Sequence, residues 1–157
     1  GHIDGSMNLE PLTIPGEPDY LSRLLDYVTW AAAAFGLDES ATYRLALAVD
    51  EIATNIVLHG YRDAGHRGDL TLWAESFADR LIVYLEDSGR PFDPREAPHP
   101  TDLDRPLEER RDGGLGIFLA LWGVDSIHYE QVDGRNRTTF IMERPDETAG
   151  RSGPERR

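Results

Sequence analysis

The sequence predicts one α/β domain: a two-layer sandwich of the α+β kind, with helices on one face of a mixed, mainly antiparallel sheet. Three observations predict it. Residues 18–59 carry apolar side chains at the three/four spacing of helices. From Asp69 the period switches to strict alternation. Near the C-terminus, two further strand-like runs flank Asp133-Gly134-Arg135-Asn136, which reads as a closing hairpin turn. At 157 residues the chain is one domain long, enough to bury roughly two-thirds of its unfolded surface.

Taken in order, Gly1–Ser6 (GHIDGS) reads as a cloning remnant, with Met7 the expected native start. Leu9–Ile14 suits a first strand, ended by Pro15-Gly16. Pro18 fits the first turn of a helix to about Phe35, with Leu21, Leu24, Leu25, Val28 and Ala32 as its buried face and Gly36 as its stop. Asp38 or Ser40 can cap a second helix through about His59. Its stripe is Leu45, Ala48, Val49, Ile52 and Ile56, and Gly60 is expected to close it. Leu70, Leu72 and Ala74 alternate with Thr71, Trp73 and Glu75 in a half-buried strand. A turn at Ala78-Asp79-Arg80 leads to a more apolar strand over Leu81–Leu85. Residues 87–114 are irregular, rich in proline and charge, and of a length that usually serves function. A short apolar helix over Leu115–Trp122 follows, then strands over Ser126–Val132 and Thr138–Arg144. The folded domain is expected over 7–145, and the polar tail 146–157 is expected to be disordered.

The balance of 29 Asp+Glu against 16 Lys+Arg gives a net charge of −13. Such a surface repels nucleic-acid phosphates and anionic lipid, so neither is an expected partner. With no cysteine, disulfides, thiol nucleophiles and cysteine zinc sites are excluded. With no signal peptide and no long apolar run, a cytoplasmic protein is expected.

Chemistry concentrates in three places. Glu51 and Asn55, four apart, share one helix face beside the buried stripe. A carboxylate and an amide oxygen there suit a hard cation or a water, or simply form an i,i+4 pair on a solvated helix. Asp87 ends the apolar strand and Gly89 follows it, which puts an acceptor at the mouth of the sheet with room for close approach. The same Asp-x-Gly also suits an ordinary turn. Gly113-Gly114-Leu115-Gly116 opens the apolar helix, where free backbone N–H groups can cradle phosphate, or where the glycines serve as a hinge. His59 sits where its helix ends and reads as a cap or packing residue. His66, His99 and His128 lack metal-ligand spacing.

Glu-x-x-x-Asn on a helix, Asp-x-Gly after a strand and Gly-x-Gly opening a helix follow the order of the N, G1 and G2 boxes of the GHKL (Bergerat-fold) ATPases. Within that superfamily DEIATNIVLHGY, DSGRPFDP and GGLGIFLAL resemble the anti-sigma-factor serine kinases, over about Pro11 to Arg144. The resemblance implies that Asn55 coordinates Mg²⁺ bridging the phosphates of ATP, and that Glu51 is the general base toward a serine hydroxyl or water. Asp87 would accept the adenine amino group, with Gly89 admitting the base. Gly114, Leu115 and Gly116 would bring backbone to the phosphates, and Pro94–Asp112 would form the ATP lid.

Some members carry an arginine just before the G2 glycines. Here Asp112 stands there, with Arg110 and Arg111 upstream, and Arg111 is the residue assigned to the phosphates. By resemblance the chain is a Mg²⁺-ATP-dependent serine/threonine kinase that phosphorylates an anti-anti-sigma antagonist, sequesters a sigma factor and forms a homodimer. The alternative is a non-catalytic ATP- or ADP-dependent regulatory binding module of the same fold, which Asp112 favours and Glu51 opposes.

Overall fold

A computed structural model of the chain describes residues 7–8, 10–91 and 123–144. The lid expected over Pro94–Asp112, Gly114, Leu115 and Gly116 read as phosphate-side residues, Arg111, the helix expected over Leu115–Trp122, the leading segment 1–6 and the tail 146–157 lie outside the described residues. Among the described residues the order is β1 (Met7–Asn8), β2 (Leu12–Pro15), a 3₁₀ turn (Pro18–Tyr20), α1 (Leu21–Phe35), α2 (Glu39–Asn55), a π-helical segment (Ile56–Arg62), β3 (Asp69–Ser76), β4 (Arg80–Asp87), β5 (Ser126–Val132) and β6 (Arg135–Glu143).

The helices start and stop for local reasons. Pro18 opens the 3₁₀ turn rather than α1 itself. At the other end Gly36 takes a left-handed φ of 101° and returns its N–H to Ala32 and Ala33, which satisfies carbonyls the last turn would orphan. Asp38 caps α2 by accepting the Ala41 N–H at 2.7 Å, so the cap is Asp38 and not Ser40. The buried face of α1 is Leu24, Val28, Ala31, Ala32 and Phe35. Leu21 and Leu25, expected in that face, are only partly covered, because it is centred nearer Ala31 and Phe35.

Gly60 does not end the second helix. The chain passes through it in wider π turns to Arg62, with the Asp63 N–H reaching back five residues to the Leu58 carbonyl at 2.8 Å.

All described strand pairings are antiparallel, in the order β1-β3-β4-β6-β5, with β2 also on β3. The first strand is divided. Met7–Asn8 pairs with Ser76 and Glu75, and Leu12–Pro15 pairs with Leu72 to Asp69, along one edge of β3. The last hairpin turns on Asp133 and Gly134 alone, both at positive φ (54° and 80°), the geometry of a two-residue loop. Arg135 and Asn136, expected in that turn, are therefore strand residues. This brings Asn136 directly opposite Asp87 in the β4–β6 register.

Leu70, Leu72, Leu81, Val83, Leu85, Phe140 and Met142 lie on the sheet face that meets the helices, joined there by Leu45, Ala48, Val49 and Ile52 of α2. Each large aliphatic side chain removed from water there contributes about 1.5–3 kcal/mol. On the other face Trp73 and Tyr84 stack at 4.9 Å, with Arg137 over both rings and ion-paired to Glu86 at 2.7 Å.

Candidate functional site

Glu51 and Asn55 come from the last turns of α2. The Asn55 Nδ2 donates to the Glu51 backbone carbonyl at 2.7 Å, and the residue is 4% exposed. That bond settles the amide's orientation, since only nitrogen can donate to a carbonyl. The Asn55 oxygen thus faces away from its own helix backbone. The two side chains do not pair with each other; the link runs from the Asn55 side chain to the Glu51 main chain. Burial pushes the Glu51 carboxyl above its ordinary value, and neighbouring Asp50 adds to the rise.

Asp87 ends β4 and is 3% exposed. Its Oδ2 accepts two bonds, from the Gly89 N–H at 2.9 Å and from the Asn136 Nδ2 at 3.1 Å. The same Asn136 nitrogen donates to the Gly89 carbonyl at 2.9 Å, while its oxygen accepts from the Tyr129 hydroxyl and the Gln131 amide, both at 3.1 Å. Both protein bonds to the carboxylate fall on one oxygen. No fully buried side-chain oxygen or nitrogen among the described residues lacks a partner, so Oδ1 keeps access to solvent or ligand. Burial raises the Asp87 carboxyl above its usual range. Hydrogen bonds from Asn136 and Gly89 and the charge of Arg135 counter the rise only in part, and Glu86 adds to it.

The two groups meet through backbone. The Arg90 N–H donates to the Gly60 carbonyl at 2.9 Å, and the Ser88 N–H donates to the Tyr61 hydroxyl at 2.8 Å. A Cβ at Gly89 would stand 2.7 Å from the Gly60 oxygen, so glycine at 89 is required by the protein's own packing. Glu51 and Asn55 are thus tied to Asp87 and Gly89 through the π-helical segment, and among the described residues no side-chain hydrogen bond joins the pairs directly.

Asn136 and Tyr61 were not among the residues read from sequence as functional. The Asn136 signal was available: Asp133-Gly134 alone makes a two-residue turn, and an asparagine inside a strand is unfavourable unless its amide is used. His59 pairs locally with Asp63 at 2.8 Å, in keeping with its reading as a helix-end residue. A separate cleft of about 840 Å³, lined by Pro15, Arg62, His66, Arg67 and Asp69 among others, shares only Tyr61 with this cluster. Among the described residues no three His, Asp or Glu side chains gather as a metal cluster. No described helix is long and apolar enough to cross a membrane.

A helix-backed antiparallel sheet with an acceptor at one strand's end and a carboxylate–amide pair on the neighbouring helix defines a class, and comparison agrees. The chain belongs to the histidine kinase-like ATPase domain family, whose match spans residues 14–142. Among its relatives, the Serine-protein kinase RsbW of Listeria monocytogenes is 29% identical over 146 residues, covering 90% of this chain and 92% of the relative. The protein of the same name from Halalkalibacterium halodurans is 28% identical over 126 residues, 78% of this chain and 76% of the relative. A solved structure of the RsbU and RsbW domains of a Mycobacterium tuberculosis protein shares the fold, at a TM-score of 0.57 and 18% identity. It covers 87% of this chain, which spans only 34% of that longer one.

Proposed function

We propose that the chain binds Mg²⁺-ATP and transfers the γ-phosphoryl group to a serine of an antagonist protein, and that it regulates a sigma factor through exchange with that antagonist. Membership of the ATPase-domain family and similarity to proteins named Serine-protein kinase RsbW support this reading. The observation that carries the nucleotide half is the Asp87 carboxylate, buried, held by Asn136 and Gly89 on Oδ2, with Oδ1 left for a donor such as the adenine amino group. An adenine N–H to a charged acceptor is worth about 1.5–3 kcal/mol and selects against bases that present an acceptor there.

Asn55 fits a Mg²⁺ that arrives with the nucleotide: it offers one neutral hard oxygen, its nitrogen being committed to the Glu51 carbonyl. When bound, the ion neutralises charge on the phosphates. Glu51, with its raised carboxyl, is the group to take the proton of the acceptor serine. In this reading Gly114, Leu115, Gly116 and Arg111 contact the phosphates, Pro94–Asp112 closes over them, and the active protein is a cytoplasmic homodimer.

The test is single-turnover transfer from labelled ATP to a candidate antagonist, run beside calorimetric ATP binding. Labelled phosphoserine on the antagonist is expected. Binding without transfer to any antagonist would leave only the regulatory half of the proposal.

A further inference from the structure

Tyr61 has a place in the fold that no side chain of its size reaches by chance. It is 2% exposed and comes from the π-helical segment Ile56–Arg62. Its ring sits between two glycine backbones. A Cβ at Gly16 would lie 2.6 Å from two ring carbons, and one at Gly68 would lie 2.7 Å from the Ser88 hydroxyl, 2.8 Å from a ring carbon and 2.9 Å from the Tyr61 hydroxyl. Real Cβ atoms do not approach so closely, so glycine at 16 makes room for this ring, and glycine at 68 for the ring and the Ser88 hydroxyl together.

The hydroxyl is fully used. It donates its one hydrogen to the Asp69 carbonyl at 2.6 Å and accepts the Ser88 N–H at 2.8 Å, with the Ser88 hydroxyl at 3.3 Å. One atom therefore joins the start of β3 to the loop after β4. The backbone beside it does the same, since the Gly60 carbonyl accepts the Arg90 N–H. A carbonyl in the last turns of a helix is available for such use because few following N–H groups remain to claim it. The π geometry begins at Ile56, immediately after Asn55, and it is this segment that presents both Gly60 and Tyr61 to the loop.

We propose that Tyr61 is a positioning residue for the nucleotide: its hydroxyl seats the Ser88–Gly89–Arg90 loop, and through it Asp87, at a set distance from Asn55. This rests on the nucleotide-binding reading of Asp87. Asp87 is held directly by Asn136 and Gly89, and the loop that follows it is held from the helix side by Tyr61, so the hydroxyl ties the base-recognising carboxylate to the segment that follows Asn55. Removing the hydroxyl leaves the Ser88 N–H and the Asp69 carbonyl short of a partner and lets the loop shift to find others.

The test is Tyr61→Phe, which keeps the ring between Gly16 and Gly68 and deletes only the hydroxyl. Affinity for ATP and for inosine triphosphate, which lacks the 6-amino group, is measured on parent and variant, together with kcat and KM for transfer. The parent should prefer ATP. The variant should lose about tenfold of that preference, with KM raised and kcat nearly unchanged. A purely structural tyrosine would lower the melting temperature and leave the preference intact, and that result overturns the proposal.

Should Tyr61→Phe not fold, Gly16→Ala presses a methyl group on the ring carbons, away from the Ser88 loop, and must reduce the preference. An unchanged preference there likewise overturns it. A parent that binds neither nucleotide defeats the nucleotide reading itself, which is a different failure.

Discussion

The Nδ2 of Asn136 bridges Asp87 and Gly89: it stands 3.1 Å from the carboxylate oxygen and 2.9 Å from the glycine carbonyl, with Asn136 and Asp87 directly opposed on β6 and β4. One amide thereby fixes both the acceptor and the loop beside it. Asn136→Ala should weaken ATP binding about 5–30-fold, because a charge-assisted bond is lost and the carboxylate can rotate. Calorimetric titration checks this; affinity within twofold of the parent would deny Asn136 any part in binding.

Asp87→Asn separates recognition from stability. The amide oxygen can still accept from Gly89 and Asn136, so the fold survives, while the acceptor facing the ligand is lost and ATP affinity falls about 10–100-fold. The folded-state pKa of Asp87 is raised, so its stabilising contribution is present below the unfolded carboxylate range and is lost as pH rises through the folded value. Wherever the carboxyl ionises in the folded state, burial makes that charge costly, and an amide does not bear this cost. The variant should melt at or above the parent's temperature at pH 7, with the difference shrinking toward about pH 4. A variant markedly less stable at neutral pH would contradict the sign.

Asn55→Ala should weaken nucleotide binding in Mg²⁺ far more than in EDTA, since a metal ligand matters only when the metal is present. Titrations with and without Mg²⁺ decide. Equal losses would return Asn55 to helix packing, where its bond to the Glu51 carbonyl would be its whole role.

Glu51→Gln should bind ATP like the parent and lose about 10²–10⁴-fold in transfer, with the low end expected if positioning dominates phosphoryl transfer. The parent's rate should rise with pH and level off above a carboxylate pKa that burial and Asp50 hold high. Asp50→Asn removes the like charge and should move that midpoint to lower pH, whereas Glu51→Gln should abolish the step. A pH profile of single-turnover rates on the three proteins tests all of this, and a midpoint that ignores Asp50 would point to another base.

The sequence by itself determined the layers and their order. Apolar spacing, the Gly36 stop, a cap at Asp38 or Ser40 and the alternation from Asp69 are local properties, and local geometry is set by neighbours in the chain. It also placed Glu51 with Asn55 and Asp87 with Gly89, since each pair lies within four residues of itself. What only the tertiary structure decided are contacts between residues far apart in sequence. Asn136 reaches Asp87 across 49 positions because the two-residue turn leaves it inside β6 and the β4–β6 register sets it opposite Asp87; a slip of one residue in that register would break the pairing. Tyr61 meets Ser88 across 27 positions because the helix widens after Asn55 instead of stopping at Gly60. Apolar periodicity does not report such a change of winding, and glycines at 16, 68 and 89 disclose their purpose only when the ring or carbonyl they admit is in place.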